Sequence, residues 1–113
     1  MIPLKHRALV VPVDFSADSA AAIKAGLDRV DDPADLHVVH VLPQIDFASH
    51  SALREFAAGG DRETEARRHL GDLLRQTGAE GAKSAILTGD HGLATADYAK
   101  RVDAELIVVT SHG

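Results

Sequence analysis

Four apolar runs, each too short to be an independent helix, constrain this chain more than any other feature: Ala8–Val13, Leu36–Leu42, Ser84–Leu87 and Leu106–Val109. The first, second and fourth are rich in β-branched residues, which favours strands. Their apolar character is nearly continuous rather than alternating, as expected of strands covered on both faces in a parallel sheet. Helical patterns fill the gaps between them. The order strand, helix, strand, helix, strand, helix, strand is a βαβ series with right-handed crossovers. The spacing therefore predicts an α/β domain built on an open parallel sheet with helices on both faces.

The first helix is expected to follow Asp14-Phe15, with Ser16 as N-cap and Asp18 in the first turn, where the helix dipole favours negative charge. Ala20, Ile23, Leu27 and Val30 recur at spacings of three and four and predict its apolar face. Asp31-Asp32-Pro33 is expected to stop it. A second helical region spans Ser51 to Thr77, striped by Ala66, Leu70, Leu73 and Leu74, with a break at Gly59-Gly60, a restart near Asp61 and a stop at Gly78. The third, Leu93 to Val102, would face inward through Leu93, Ala96, Ala99 and Val102. Gln44 to His50 is the expected mobile loop.

The chain has 113 residues, enough for one domain spanning 1–113. With 12 Lys+Arg against 17 Asp+Glu and a formal charge of −5, it lacks the basic surface of a nucleic-acid binder. Phe15, Phe47, Phe56 and Tyr98 are too few for a base-stacking platform. The absence of cysteine removes disulfides, thiol chemistry and Cys-ligated zinc. No apolar run approaches the ~20 residues of a membrane helix, and Met1–Arg7 is too short for a signal peptide ahead of the first strand. These features predict a soluble, cytoplasmic domain with no nucleic-acid or membrane partner.

In open parallel sheets, ligands bind beyond the carboxyl ends of the strands, where strand order reverses. The residues to weigh are thus Pro12–Ser16, Val41–Pro43, Thr88–Gly92 and Thr110–Gly113. Asp14 carries a carboxylate between strand and helix. It could accept hydrogen bonds from a ribose or a base amine, or it could help Ser16 cap the helix, and position leaves both open. Thr110, Ser111, His112 and Gly113 form a turn that could offer N–H groups to a phosphate or simply end a strand. Gly89-Asp90-His91-Gly92 reads as a turn into the third helix, with Asp90 near its start.

No metal site is expected. His37 and His40 lie three apart on a strand and so point to opposite faces. His91 and His112 lack a third ligand, and His6, His50 and His69 read as surface residues. No catalytic residue is expected either. There is no Walker A sequence, no G-x-G-x-x-G and no G-x-S-x-G, and Ser111-His112 is not a triad.

Ala8–Ser16, His37–Pro43, Gly89-Asp90 and Ala104–Gly113, in this order and spacing, resemble the universal stress proteins over nearly the whole chain. The resemblance implies a Rossmann-like sheet of the adenine nucleotide α-hydrolase-like type, strand order 3-2-1-4-5. Its fifth strand and last helix are missing from this sequence. ATP would lie in the crevice between strands 1 and 4. By position, Pro12, Val13 and Asp14 match family residues around adenine and ribose, and Val41 matches one whose backbone meets the adenine. Thr110–Gly113 match the start of the family's phosphate motif, Gly-x-x-Gly, nine residues, then Gly-Ser/Thr. Thr110 replaces the first glycine, and a β-branched residue resists positive φ. The second phosphate segment lies beyond Gly113.

The resulting expectation is a non-enzymatic stress-response regulator that binds ATP or another adenine nucleotide, with or without Mg²⁺, and contacts a regulatory protein partner. The alternatives are a nucleotide-free signalling module of the same fold and a weak ATP-hydrolysing or phosphoryl-transfer enzyme. The last suffers from the lack of an apparent Mg²⁺-ligating set or phosphate-clamping Lys or Arg near the strand ends. Leu106–Val109 would be an exposed apolar edge with no strand after it, an association hazard. Either the natural protein continues past Gly113 or a homodimer covers that edge.

Overall fold

The computed structural model describes residues 8–44 and 62–109. Its four strands, β1 (Leu9–Pro12), β2 (Leu36–Leu42), β3 (Lys83–Thr88) and β4 (Leu106–Ile107), form one parallel sheet in the order β3-β2-β1-β4. The α/β reading and the strand order 3-2-1-4 are as expected. The helices are α1 (Ala17–Leu27), α2 (Arg62–Gln76) and α3 (His91–Arg101), with a 3₁₀ turn at Pro33–Asp35. The expected break at Gly59-Gly60 and most of the Gln44–His50 loop lie outside the described residues.

Leu9, Val11, Val13, Leu36 and Val38 turn one face of the sheet toward α1 and α2, where Ile23, Leu70 and Leu74 complete the larger core. Val10 and Val39 face α3 through Ala99, flanked by Tyr98 and Val102. β1 is thus buried on both faces, which explains its unbroken apolar run.

Three local expectations change. Of the expected apolar face after Ser16, Ile23 and Val30 are buried and Leu27 packs against the core, while Ser19, Ala22 and Gly26 of α1 are buried in place of Ala20. Small residues hold that face because the helix lies close to the sheet: a Cβ on Gly26 would stand 2.8 Å from Leu36 Cδ1 and 3.1 Å from Val11 Cγ2. The helix also ends at Leu27, ahead of Asp31-Asp32-Pro33. Asp32 instead caps the 3₁₀ turn, accepting from the Ala34 N–H at 3.0 Å.

On α3 the buried residues are Thr95 and Ala99, and Leu93 is 69% exposed. The Asp90 carboxylate accepts from the Leu93 N–H at 2.9 Å, which starts the helix at His91 and fixes its rotation. Gly89, with φ at 129°, makes the turn into that cap.

The fourth strand is shorter than Leu106–Val109, and Leu106 is 38% exposed rather than buried on both faces. Leu106 lies on the edge strand, and a proline accounts for the early end of the ladder. The Val108 N–H donates to the Val10 carbonyl at 2.9 Å, and the Val13 N–H donates to Val39 across the other edge of β1 at 2.8 Å. Backbone groups alternate sides along a strand, so residue 12 faces β4. Its N–H would make the next ladder bond, to the Val108 carbonyl, but Pro12 has none.

Candidate functional site

That missing bond lies at the carboxyl end of β1, where strand order reverses. β2 leaves the centre on one side and β4 on the other, and among the described residues the Val108 N–H to Val10 carbonyl bond is the last between β1 and β4. In an open parallel sheet such a switch point is where a ligand crevice is expected.

Asp14 stands at its rim, exposed. Its Oδ1 accepts from the Ser16 N–H at 3.0 Å and from the Ser19 hydroxyl at 3.1 Å. The Ser19 oxygen in turn accepts from the Asp14 N–H at 3.2 Å. The capping role weighed for Asp14 is therefore realised, and it orients the carboxylate at the strand end. Ser16 occupies the N-cap position of α1 with extended backbone, but its hydroxyl makes no capping bond. That corrects the role expected of it: Asp14 takes up the Ser16 N–H, and the buried Ser16 Oγ has no hydrogen-bond partner.

Between them, Phe15 has φ at 64°. This left-handed conformation is uncommon for a bulky side chain and costs on the order of 1–3 kcal/mol, so the surroundings must impose it. The Phe15 ring lies 4.3 Å from the His40 ring and 5.4 Å, edge-on, from that of His69. His40 Nδ1 is 2.7 Å from the Val13 carbonyl oxygen. His37, on the opposite face as expected, pairs through Nδ1 with the Tyr98 hydroxyl at 2.8 Å.

Pro12, Val13 and Val41 are buried at the ends of β1 and β2, so the structure brings these three and Asp14 to one edge. Thr110, Ser111, His112 and Gly113 lie outside the described residues. Thr95 adds a second unpartnered hydroxyl: it is 4% exposed and its Oγ1 has no hydrogen-bond partner. It sits one helical turn before Ala99, toward the carboxyl ends of the strands. The Arg62 guanidinium donates to the Pro43 carbonyl at 3.0 Å, which places a cation at the end of β2. Among the described residues, no three His, Asp or Glu side chains converge as a metal set, and no helix is long and apolar enough to cross a membrane.

Sequence reasoning missed Ser19 and Arg62, and the parts that His40 and Phe15 play. Only Asp14-Phe15-Ser16 carried a local signal, a carboxylate two residues before a helix. The others depend on how β2, α1 and α2 pack.

The Universal stress protein family model matches residues 5–113. No curated protein matches the chain. Among solved structures, a member of the universal stress protein family from Burkholderia pseudomallei is similar at 23% identity and TM-score 0.64, over 94% of this chain and 83% of that one. The universal stress protein UspA from Lactobacillus plantarum is similar at 21% identity and TM-score 0.63, over 95% and 79%. A universal stress protein solved in complex with cAMP is similar at 20% identity and TM-score 0.60, over 92% and 75%. At these identities the likeness to solved structures is one of fold.

Proposed function

Because the chain belongs to the universal stress protein family, we propose that it binds an adenine nucleotide, ATP in the first instance, between the ends of β1 and β4 and acts as a regulator rather than a catalyst. The observation that carries this reading is the oriented Asp14 carboxylate at the switch point of the sheet. A ribose offers hydroxyl donors, and a fixed carboxylate at a strand end is a suitable acceptor for them. Buried Pro12, Val13 and Val41 would flank the base, and Thr110–Gly113 would approach the phosphates. The unpartnered hydroxyls of Ser16 and Thr95 suit a polar ligand, since buried polar groups ordinarily have partners. The cAMP complex of a relative with the same fold supports an adenine nucleotide as the class.

Regulation would follow if bound nucleotide favours one set of partner contacts, because only differential binding shifts a population. Self-association through β4 and the residues that follow it, where Leu106 and Val109 are exposed, belongs to this reading, as does a cytoplasmic location. Thr110 favours a second reading, a module of the same fold that binds no nucleotide, because a β-branched residue there opposes close backbone approach to phosphate.

Calorimetric titration of the chain with ATP, AMP and cAMP, followed by product analysis, separates the readings. Saturable binding without turnover is expected. Asp14→Ala should weaken it roughly tenfold or more, the effect of removing a charged acceptor. Turnover would favour the enzyme, and no binding of any of the three would favour the nucleotide-free module.

A further inference from the structure

His40 touches both flanks of Asp14. Its Nδ1 meets the carbonyl of the preceding residue, Val13, and its ring lies against the side chain of the following residue, Phe15. A carbonyl oxygen can only accept, so Nδ1 carries the proton in this contact. The Val13 carbonyl and the Asp14 N–H belong to one planar peptide unit. The oxygen end of that plane is held by His40 at 2.7 Å, and the N–H end by the Ser19 hydroxyl at 3.2 Å. With the plane pinned at both ends, φ of Asp14 starts from a fixed orientation. The left-handed Phe15 behind it is packed between two imidazoles from β2 and α2.

We propose that His40 is a positioning residue for the ligand crevice: by donating from Nδ1 to the Val13 carbonyl it sets the peptide plane from which the Asp14 carboxylate is presented. The inference rests on the nucleotide reading for its consequence but not for its geometry. Val13 is 2% exposed, so its carbonyl has little access to replacement water if the donor is lost. The plane would then turn to seek one, carrying the Asp14 N–H away from Ser19. The donor rather than the ring is the essential part.

Two substitutions separate these parts. Asparagine places an amide N–H close to where Nδ1 stood, whereas phenylalanine keeps a ring beside Phe15 and removes the donor. His40→Phe should weaken ATP binding by about tenfold, and His40→Asn by no more than about threefold. Long-range ¹H–¹⁵N NMR of the ligand-free chain at pH 8 should show His40 protonated at Nδ1. In His40→Phe the backbone signals of Asp14, Phe15 and Ser16 should shift, and in His40→Asn they should stay close to the parent's.

A proton on Nε2 instead of Nδ1, or unmoved Asp14–Ser16 signals in His40→Phe, overturns the proposal, as does equal ATP affinity in His40→Phe and the parent. If the parent binds no ATP, the nucleotide reading fails, and the tautomer and backbone signals still decide the role of His40. Should His40→Phe fail to fold, the tautomer of the parent and the signals of His40→Asn decide it.

Discussion

The Ser19 hydroxyl meets Asp14 twice, donating to its carboxylate at 3.1 Å and accepting from its N–H at 3.2 Å. A side chain from the first turn of α1 thus closes the loop that leaves β1, and does so almost wholly buried. Ser19→Ala removes both bonds at once. The part-buried Asp14 N–H then loses this partner, at a cost on the order of 1 kcal/mol, against which alanine's better helix propensity returns about 0.5 kcal/mol. Urea denaturation should show net destabilisation. An unchanged midpoint would mean that water replaces the hydroxyl.

Pro12 limits β4 by withholding one N–H. Pro12→Ala supplies it, and the ladder bond to the Val108 carbonyl becomes available. Hydrogen exchange should find the new amide at residue 12 protected, and the crevice should bind ATP less well as β1 and β4 draw together. An amide at residue 12 that exchanges as fast as a loop amide would show that something other than proline parts the strands.

Gly26 tests whether close approach outweighs helix propensity. Alanine is favoured over glycine by about 1 kcal/mol in a helix interior. Here its Cβ would stand 2.8 Å from Leu36 and 3.1 Å from Val11, both fully buried. Overpacking typically costs about 1–3 kcal/mol, so Gly26→Ala should be destabilising in a melt. A stabilised variant would show that Leu36 repacks without strain.

His37 should make the fold sensitive to acid. Burial first, and then the neighbouring Lys83 ammonium, hold its imidazole below the ordinary value of 6.5, with Asp35 opposing. The unfolded chain therefore takes up this proton before the folded one does. Stability contributed by His37 is complete above the unfolded value and is lost as pH falls from about 6.5 toward the folded value. His37→Gln should flatten the loss between pH 7.5 and pH 5 in urea midpoints. An equal slope in parent and variant would place the sensitivity elsewhere.

Ser16 shows how local reading can find a helix start and miss its chemistry. A serine between Asp14 and an alanine-rich helix satisfies the N-cap rule. The acceptor that closes the turn is the carboxylate two residues earlier, because Ser19 pulls Asp14 onto the helix. Likewise, the spacing of the third helix predicts Ala99 and Val102 inward, as found, but not the outward turn of Leu93 and Ala96. Leu93 looked like a core residue, yet the Asp90 cap turns it outward and brings in Thr95.

What the sequence by itself determined is the layered architecture and the edge at which a ligand site can lie. Those follow from period and composition: continuous Val and Leu runs demand cover on both faces, and the cover comes from the intervening helices. Asp14 could be picked out because it ends the first of those runs. Tertiary structure alone decided how Asp14 is held. His40, Ser19 and Phe15 meet only when β2 lies beside β1 in register, with Pro12 opposite Val39, and α1 returns over the same end. Such contacts join residues distant along the chain through directional hydrogen bonds, and directional geometry leaves no periodic trace in a sequence.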